Sequence, residues 1–193
     1  MKNGSGGRNL YDVELVASTT WQALFKVAGL KAGQNLLIHG AAGGLGIFAV
    51  QFAKAKGARV IGTASGSNQS FLRELGVDEP IDYAKTKFED VARDVDVVLD
   101  TQGGDTQQRS WKVLKKSGVL VSVVQPPSDA EAAKHGVKAA MFRRQANTGE
   151  LSEIAMLIDS ARVKVVVELS CRYRKQDVPK NSAKRVTYGA RSY

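Results

Sequence analysis

Short apolar runs alternate along this chain with stretches of helical spacing, separated by turns rich in glycine, asparagine or proline. Leu36, Leu37 and Ile38 make a run short enough for a buried strand, and beyond it Ile47, Phe48, Val50, Phe52 and Ala53 take helical spacing. Residues 59–63 read as a second strand, 68–75 as a helix stopped by Gly76, 80–83 as a brief third strand and 88–93 as a short helix. Residues 96–100 are a nearly continuous apolar strand, the pattern of a sheet covered on both faces. A helix is predicted over 107–116, a strand over 118–124, a helix over 128–135, a strand over 137–142, a helix over 150–161 and an extended segment over 163–169. Upstream, residues 13–29 read as a helix stopped at Gly29, behind a flexible leader over 1–12. Strands and helices in strict alternation predict an α/β fold, a doubly wound parallel six-stranded sheet over residues 13–169.

Between the first strand and its helix the chain bends through Gly40, Gly43, Gly44 and Gly46. Glycine allows main-chain N–H groups to approach a pyrophosphate closely, and a helix N-terminus adds free donors and a positive dipole end. The main chain of Ala42, Gly43, Gly44, Leu45 and Gly46 is therefore the candidate phosphate cradle, in the strand, turn and helix context of a Rossmann-type fold. A bend that merely requires glycine is the other reading of the same residues. About 20 residues past such a turn, an Asp or Glu would read the ribose of NAD. Here residues 63–68 hold no carboxylate, and the hydroxyls of Ser65 and Ser67 can donate to a 2′-phosphate, which favours NADP(H). Arg73, in the following helix, either supports that phosphate or is a solvated surface group. Ligands of such sheets sit beyond the carboxyl ends of the strands, which gathers the glycine turn, Ser65, Tyr83, Thr101 and Val123 on one edge.

A chain of 193 residues suits one domain, and no apolar run reaches the roughly 20 residues that span a membrane. The first residues lack the apolar core of a signal peptide, so the cytoplasm is the expected compartment. Cys171 is the one cysteine, which excludes an intramolecular disulfide and a multi-cysteine zinc site. His39 and His135 are isolated, no acid, base or nucleophile set stands out, and neither a catalytic nor a metal-binding residue is assigned. Asp100 and Asp105 read as groups that shape a loop. The net charge of +9 is uneven: seven basic residues against Asp177 put +6 on residues 170–193 and leave +3 for the rest. Such a tail can bind phosphates nonspecifically without making a nucleic-acid reader.

Ile-His-Gly-Ala-Ala-Gly-Gly-Leu-Gly at 38–46, Ala49-Val50-Gln51, Lys56-Gly57-Ala58, Thr19-Thr20-Trp21-Gln22-Ala23-Leu24 and Leu30-Lys31-Ala32-Gly33-Gln34 together resemble the medium-chain dehydrogenase/reductases. Within them they resemble the zinc-independent quinone oxidoreductase and enone reductase branch, where Ala41 at the first motif position is usual. The resemblance covers residues 14–169 and implies NADP(H), with hydride passed to a quinone or an α,β-unsaturated carbonyl. It places Tyr83 against the adenosine phosphate, an ordinary strand-end aromatic being the alternative. Residues 100–104 resemble the family's Asp-x-x-Gly-Gly loop, and residues 137–142 the strand through which subunits of the family pair. Relatives often carry Lys or Arg near Ser67, and this chain does not.

Two departures stand out. The family's N-terminal barrel-like domain, one wall of its substrate cleft, is expected to be lacking, which puts turnover in doubt. Residues 170–193 leave the family pattern, and codons permitted for 185–193 read in a shifted frame as Gly-His-Val-Arg-Gly-Lys-Ile-Val, the family's own continuation. The tail is therefore expected to be a frameshift product and poorly ordered, which the coding DNA checks directly. Besides an oxidoreductase, the sequence supports a non-catalytic NADPH-binding fragment or sensor and, last, a basic nucleic-acid-binding protein.

Overall fold

A computed structural model of the chain describes residues 6–143, 149–167 and 186–188. Helix α1 (Gly6–Trp21) runs into a π-helical turn (Gln22–Val27) and a left-handed Gly29 at φ 64°. Then come β1 (Asn35–Ile38), α2 (Gly44–Ala55), β2 (Arg59–Ala64), a 3-10 turn (Gly66–Asn68), α3 (Gln69–Leu75), β3 (Glu79–Asp82) and α4 (Phe88–Val91). The second half carries β4 (Val95–Asp100), α5 (Gly104–Ser110), β5 (Leu114–Ser122), α6 (Asp129–His135), β6 (Lys138–Met141) and α7 (Gly149–Asp159). A separate antiparallel ribbon pairs β7 (Val165–Val167) with β8 (Val186–Tyr188).

The six strands β1 to β6 form one parallel sheet in the order β3-β2-β1-β4-β5-β6. The expected α/β architecture, a Rossmann-type doubly wound sheet, is what the chain adopts. The order reverses between β1 and β4, whose register joins Leu36 to Val97 and Ile38 to Leu99. Alternation along the strands feeds two apolar layers. Leu36, Ile38, Val60, Val97, Leu99 and Val121 pack on one face with α1, α2, α3 and α7; Leu37, Ile61, Val98 and Leu120 pack on the other with Phe88, Trp111 and Ala132. Both faces are covered, which is why the strands read as unbroken apolar runs.

Three expectations need correction. The first helix begins at Gly6, inside the stretch read as leader, and ends in a π-turn where α-helix was expected. The helix expected over 107–116 is instead Gly104–Ser110, and β5 starts at Leu114. Its early start follows from Gly103, at φ 71° and ψ −161°, whose N–H is held by Asp100. Its early end follows from pairing: Val95 N–H donates to Val113 O and Leu114 faces Val95 across a bulge, so tertiary contacts override the helical preference of the lysines. Of the tail over 170–193, residues 186–188 form β8, and the expectation of poor order otherwise falls on residues outside the described ones.

Candidate cofactor-binding site

The bend after β1 is fixed from three sides. Gly40, left-handed at φ 67°, donates to Thr63 Oγ1 at 3.2 Å, Ala41 N–H donates to Thr63 O at 2.9 Å, and Thr101 Oγ1 donates to His39 O at 2.6 Å. Gly43 N–H, one of the amides expected in the cradle, closes the turn onto Gly40 O at 2.9 Å. Its φ of −80° is ordinary, it is exposed at the N-cap of α2, and a Cβ there would lie 3.3 Å from Gly40 O. The first intrahelical bond is Ile47 N–H to Gly43 O at 2.9 Å. Among the described residues the N–H groups of Ala42, Gly44, Leu45 and Gly46 have no protein acceptor, which leaves them as the donors of the cradle. Gly46 is required for a different reason. A Cβ there would lie 2.5 Å from Gly40 O and 2.6 Å from Ala41 Cα, so only glycine lets α2 pack this close to the turn.

Behind the turn, His39 is fully buried and sits edge-on to Phe88 at 4.6 Å. Ser110 Oγ donates to Thr106 O at 2.7 Å, so it accepts from His39 Nε2 at 2.8 Å. That tautomer leaves Nδ1 to accept from Thr63 Oγ1 at 3.4 Å, and Thr63 in turn takes Gly40 N–H. The imidazole is thus a structural tie between α5, β2 and the turn. Burial, against the raising pull of Asp100, lowers its pKa from 6.5 to about 4. The unfolded chain therefore binds this proton first: stability is full above pH 6.5 and is lost as pH falls toward 4. A loss of roughly 1 kcal/mol is expected between pH 7 and pH 5.5, approaching about 3 kcal/mol below pH 4. Denaturant titrations of wild type and His39→Gln at these pH values check it, because the variant should lack this share of the pH dependence.

Asp100 ends β4 fully buried and accepts four hydrogen bonds, from Gln102 N–H at 3.0 Å, Gly103 N–H at 2.8 Å, Gln107 Nε2 at 2.8 Å and Ser122 Oγ at 2.8 Å. It shapes the 101–104 loop, as the sequence suggests, and that loop carries Thr101 and Gln102 to Gly40. A Cβ at Gly40 would lie 2.5 Å from Gln102 Nε2 and 2.9 Å from Thr101 Oγ1.

The structure brings Gly40, Thr63 and the exposed ring of Tyr83 to one cavity of about 390 Å³, which Lys87, Gln102 and Arg109 also line. Ser65 and Ser67 cap the end of β2 with hydroxyls 3.1 Å apart, and Asn68 Nδ2 donates to Ser65 Oγ at 3.0 Å. Val123 stands off from that cavity, past the end of β5, and its N–H donates to Asp100 O at 3.0 Å. Sequence reasoning missed Gln102 and Lys87. It also missed Asp82: a Cβ on Gly66 would lie 2.7 Å from its Oδ2, so a carboxylate from β3 stands behind the loop that follows β2. The glycine in Ser65-Gly66-Ser67 was its one available signal.

No group of three or more His, Cys, Asp or Glu able to hold a metal occurs among the described residues, and both nitrogens of His39 are engaged inside the fold. These residues do not fit a zinc site. They do fit a dinucleotide: open amides at a helix N-terminus, an approach kept clear by glycine, and a position at the switch point.

Residues 75–180 match the family described as zinc-binding dehydrogenase. The chain is 32% identical over 184 residues to the mouse mitochondrial NAD(P)H oxidoreductase RTN4IP1, covering 79% of this chain and 46% of the relative. Its fold matches a quinone oxidoreductase from Coxiella burnetii with a TM-score of 0.70 at 34% identity, over 76% of this chain and 47% of the other. The nucleotide-binding subdomain of the enoylreductase domain of PpsC from Mycobacterium tuberculosis matches with a TM-score of 0.68 at 26% identity, over 79% of this chain and 97% of that one. The chain spans about half the length of the curated relatives it matches. With more than half of its residues inside the family match, the chain belongs to the zinc-binding dehydrogenases, within the medium-chain dehydrogenase/reductase superfamily.

Proposed function

We propose that this chain is the NADPH-binding unit of a zinc-free oxidoreductase that passes hydride to a quinone or an α,β-unsaturated carbonyl. The observation that carries the proposal is the open N-terminus of α2 at the switch point, where the amides of Gly44, Leu45 and Gly46 lack acceptors among the described residues. A pyrophosphate there would meet those amides and the dipole end together. Ser65 and Ser67 would receive the 2′-phosphate, and Tyr83 and Thr101 would border the adenosine side. The nicotinamide supplies the hydride when bound; the residues of this chain bind, orient and shape the cleft floor. The names of its relatives, an NAD(P)H oxidoreductase and a quinone oxidoreductase, support the reaction class.

The test is a fluorescence titration with NADPH and with NADH, followed by NADPH oxidation in the presence of a small quinone and of an enone. Saturable NADPH binding with turnover supports the full proposal, and no binding of either coenzyme overturns it. Binding without turnover favours a non-catalytic NADPH-binding module, a reading supported by the chain's span of about half its relatives. No helix among the described residues is long and apolar enough to cross a membrane. The proposal keeps the cytoplasm as the compartment, and recovery in the mitochondrial fraction would overturn that part.

Pairing of two copies through β6 belongs to the same proposal. Phe142 N–H donates to Ser122 O at 2.8 Å, so by the period of a strand the N–H groups of Ala139 and Met141 face the open edge. Ala139→Pro removes one outward donor and no bond to β5. Light scattering is expected to show a dimer for wild type and a monomer for the variant; a wild-type monomer ends the idea.

A further inference from the structure

We propose that Lys87 selects NADPH over NADH in this chain, its ammonium binding the 2′-phosphate of the adenosine ribose. The assignment rests on the functional reading above and deepens it. A phosphate monoester carries about two negative charges near neutral pH and calls for a cation, yet residues 63–68 at the end of β2 contain neither Lys nor Arg. The corner is more demanding than its hydroxyls suggest, because the Asp82 carboxylate stands directly behind Gly66.

Four cations line the cavity and the groove on the two sides of this corner, which Thr63 and Gly66 respectively border, and the geometry separates them. Arg109 lines the cavity with Gly40 and Tyr83, but its guanidinium is held by Glu89 at 2.8 Å and Asp105 at 2.7 Å and lies 4.9 Å over the Phe88 ring. Partial burial works to lower its pKa, and these carboxylates more than reverse that, so it stays charged and committed. Lys85 stands 3.9 Å from Asp82 and offsets that carboxylate. Lys85 and Arg73 both open onto a different groove, on the outer side of β3, with Gly66 and Pro80. Lys87 alone among the four combines a place in the inner cavity, beside Gly40, Thr63 and Tyr83, with no ion pair among the described residues. It occupies the N-cap of α4, with extended backbone at φ −71° and ψ 123°, so its stem leaves a fixed point of the fold.

The test is equilibrium binding of NADPH and NADH to the full chain, as wild type and as Lys87→Gln, Lys85→Gln and Arg73→Gln. All three side chains are exposed, so the variants should fold. Lys87→Gln is expected to weaken NADPH roughly tenfold or more, the scale of a lost charge-assisted contact, and to leave NADH within about twofold. Competition should follow: 2′,5′-ADP displaces coenzyme from wild type and loses that ability in Lys87→Gln, while 5′-AMP behaves alike in both. Unchanged NADPH affinity in Lys87→Gln, or a loss that falls on Lys85→Gln or Arg73→Gln instead, overturns the assignment and leaves the functional reading standing. Wild-type protein that holds both coenzymes equally also overturns it. Wild-type protein that binds neither overturns the functional reading, and the assignment with it.

Discussion

Asp100→Ala is expected to lower the unfolding midpoint by roughly 10 °C and to weaken coenzyme binding at the same time. The carboxylate is fully buried, and its removal takes an acceptor from two main-chain N–H groups, from the Ser122 hydroxyl and from the Gln107 amide, which keeps only Gln125 O at 3.3 Å. An unsatisfied buried donor costs about 1–3 kcal/mol, and partial rearrangement among four of them leaves a loss of several kcal/mol. Binding suffers through geometry: the loop that Asp100 shapes carries Thr101, whose hydroxyl holds the carbonyl of His39 just before the glycine turn. Asp105, in the first turn of α5 just past that loop, is the control. Its side chain is 83% exposed and pairs among the described residues with Arg109 alone, so Asp105→Ala should melt within about 1 °C of wild type. Differential scanning calorimetry decides between the two, and an Asp100→Ala protein that melts with wild type would show that Asp100 is no hub.

Asp100 and Asp105 also show where sequence reasoning stops. Both flank one glycine-bearing loop, and both read as shaping it; only packing reveals that one is sealed with four donors while the other is exposed to solvent. The doubly wound sheet was legible because its signals are local. Apolar runs at 36–38 and 96–100 need two covered faces, and the left-handed Gly76 closes α3 where the helical spacing stops. The extent of α5 was not legible, because Val113 and Leu114 are drawn into the sheet by Val95, some twenty residues earlier. The glycine turn was found by its motif, but the division of labour within it was hidden. Gly43 commits its amide to Gly40, Gly46 keeps α2 close, and Gly44 is left open. Asp82 and Lys87 escaped notice because their place comes from β3 and from the start of α4, distant in sequence from Gly66, which Asp82 stands against, and from Gly40, with which Lys87 shares a cavity.

That division of labour makes Gly44→Asp the sharpest probe of the site, with an effect on binding opposite in sign to its effect on stability. Gly44 opens α2 and is exposed, and a Cβ added to it would meet nothing nearer than Val16 Cγ1 at 4.0 Å, so an aspartate fits. Replacing glycine in the first helical turn by an acid should stabilise the fold by about 0.3–1 kcal/mol through the helix dipole. The same carboxylate would stand where a pyrophosphate must sit. Repulsion of about 4 kcal/mol per charge pair at 4 Å near a protein surface predicts an affinity loss of roughly 100-fold or more for NADPH and NADH alike. Gly46→Ala separates this from a general failure of the turn: its Cβ meets the backbone of Gly40 and Ala41, which cannot swing aside, so stability and binding should fall together. A folded Gly44→Asp protein with unchanged coenzyme affinity would remove the phosphate from the end of α2 and leave that bend as packing alone.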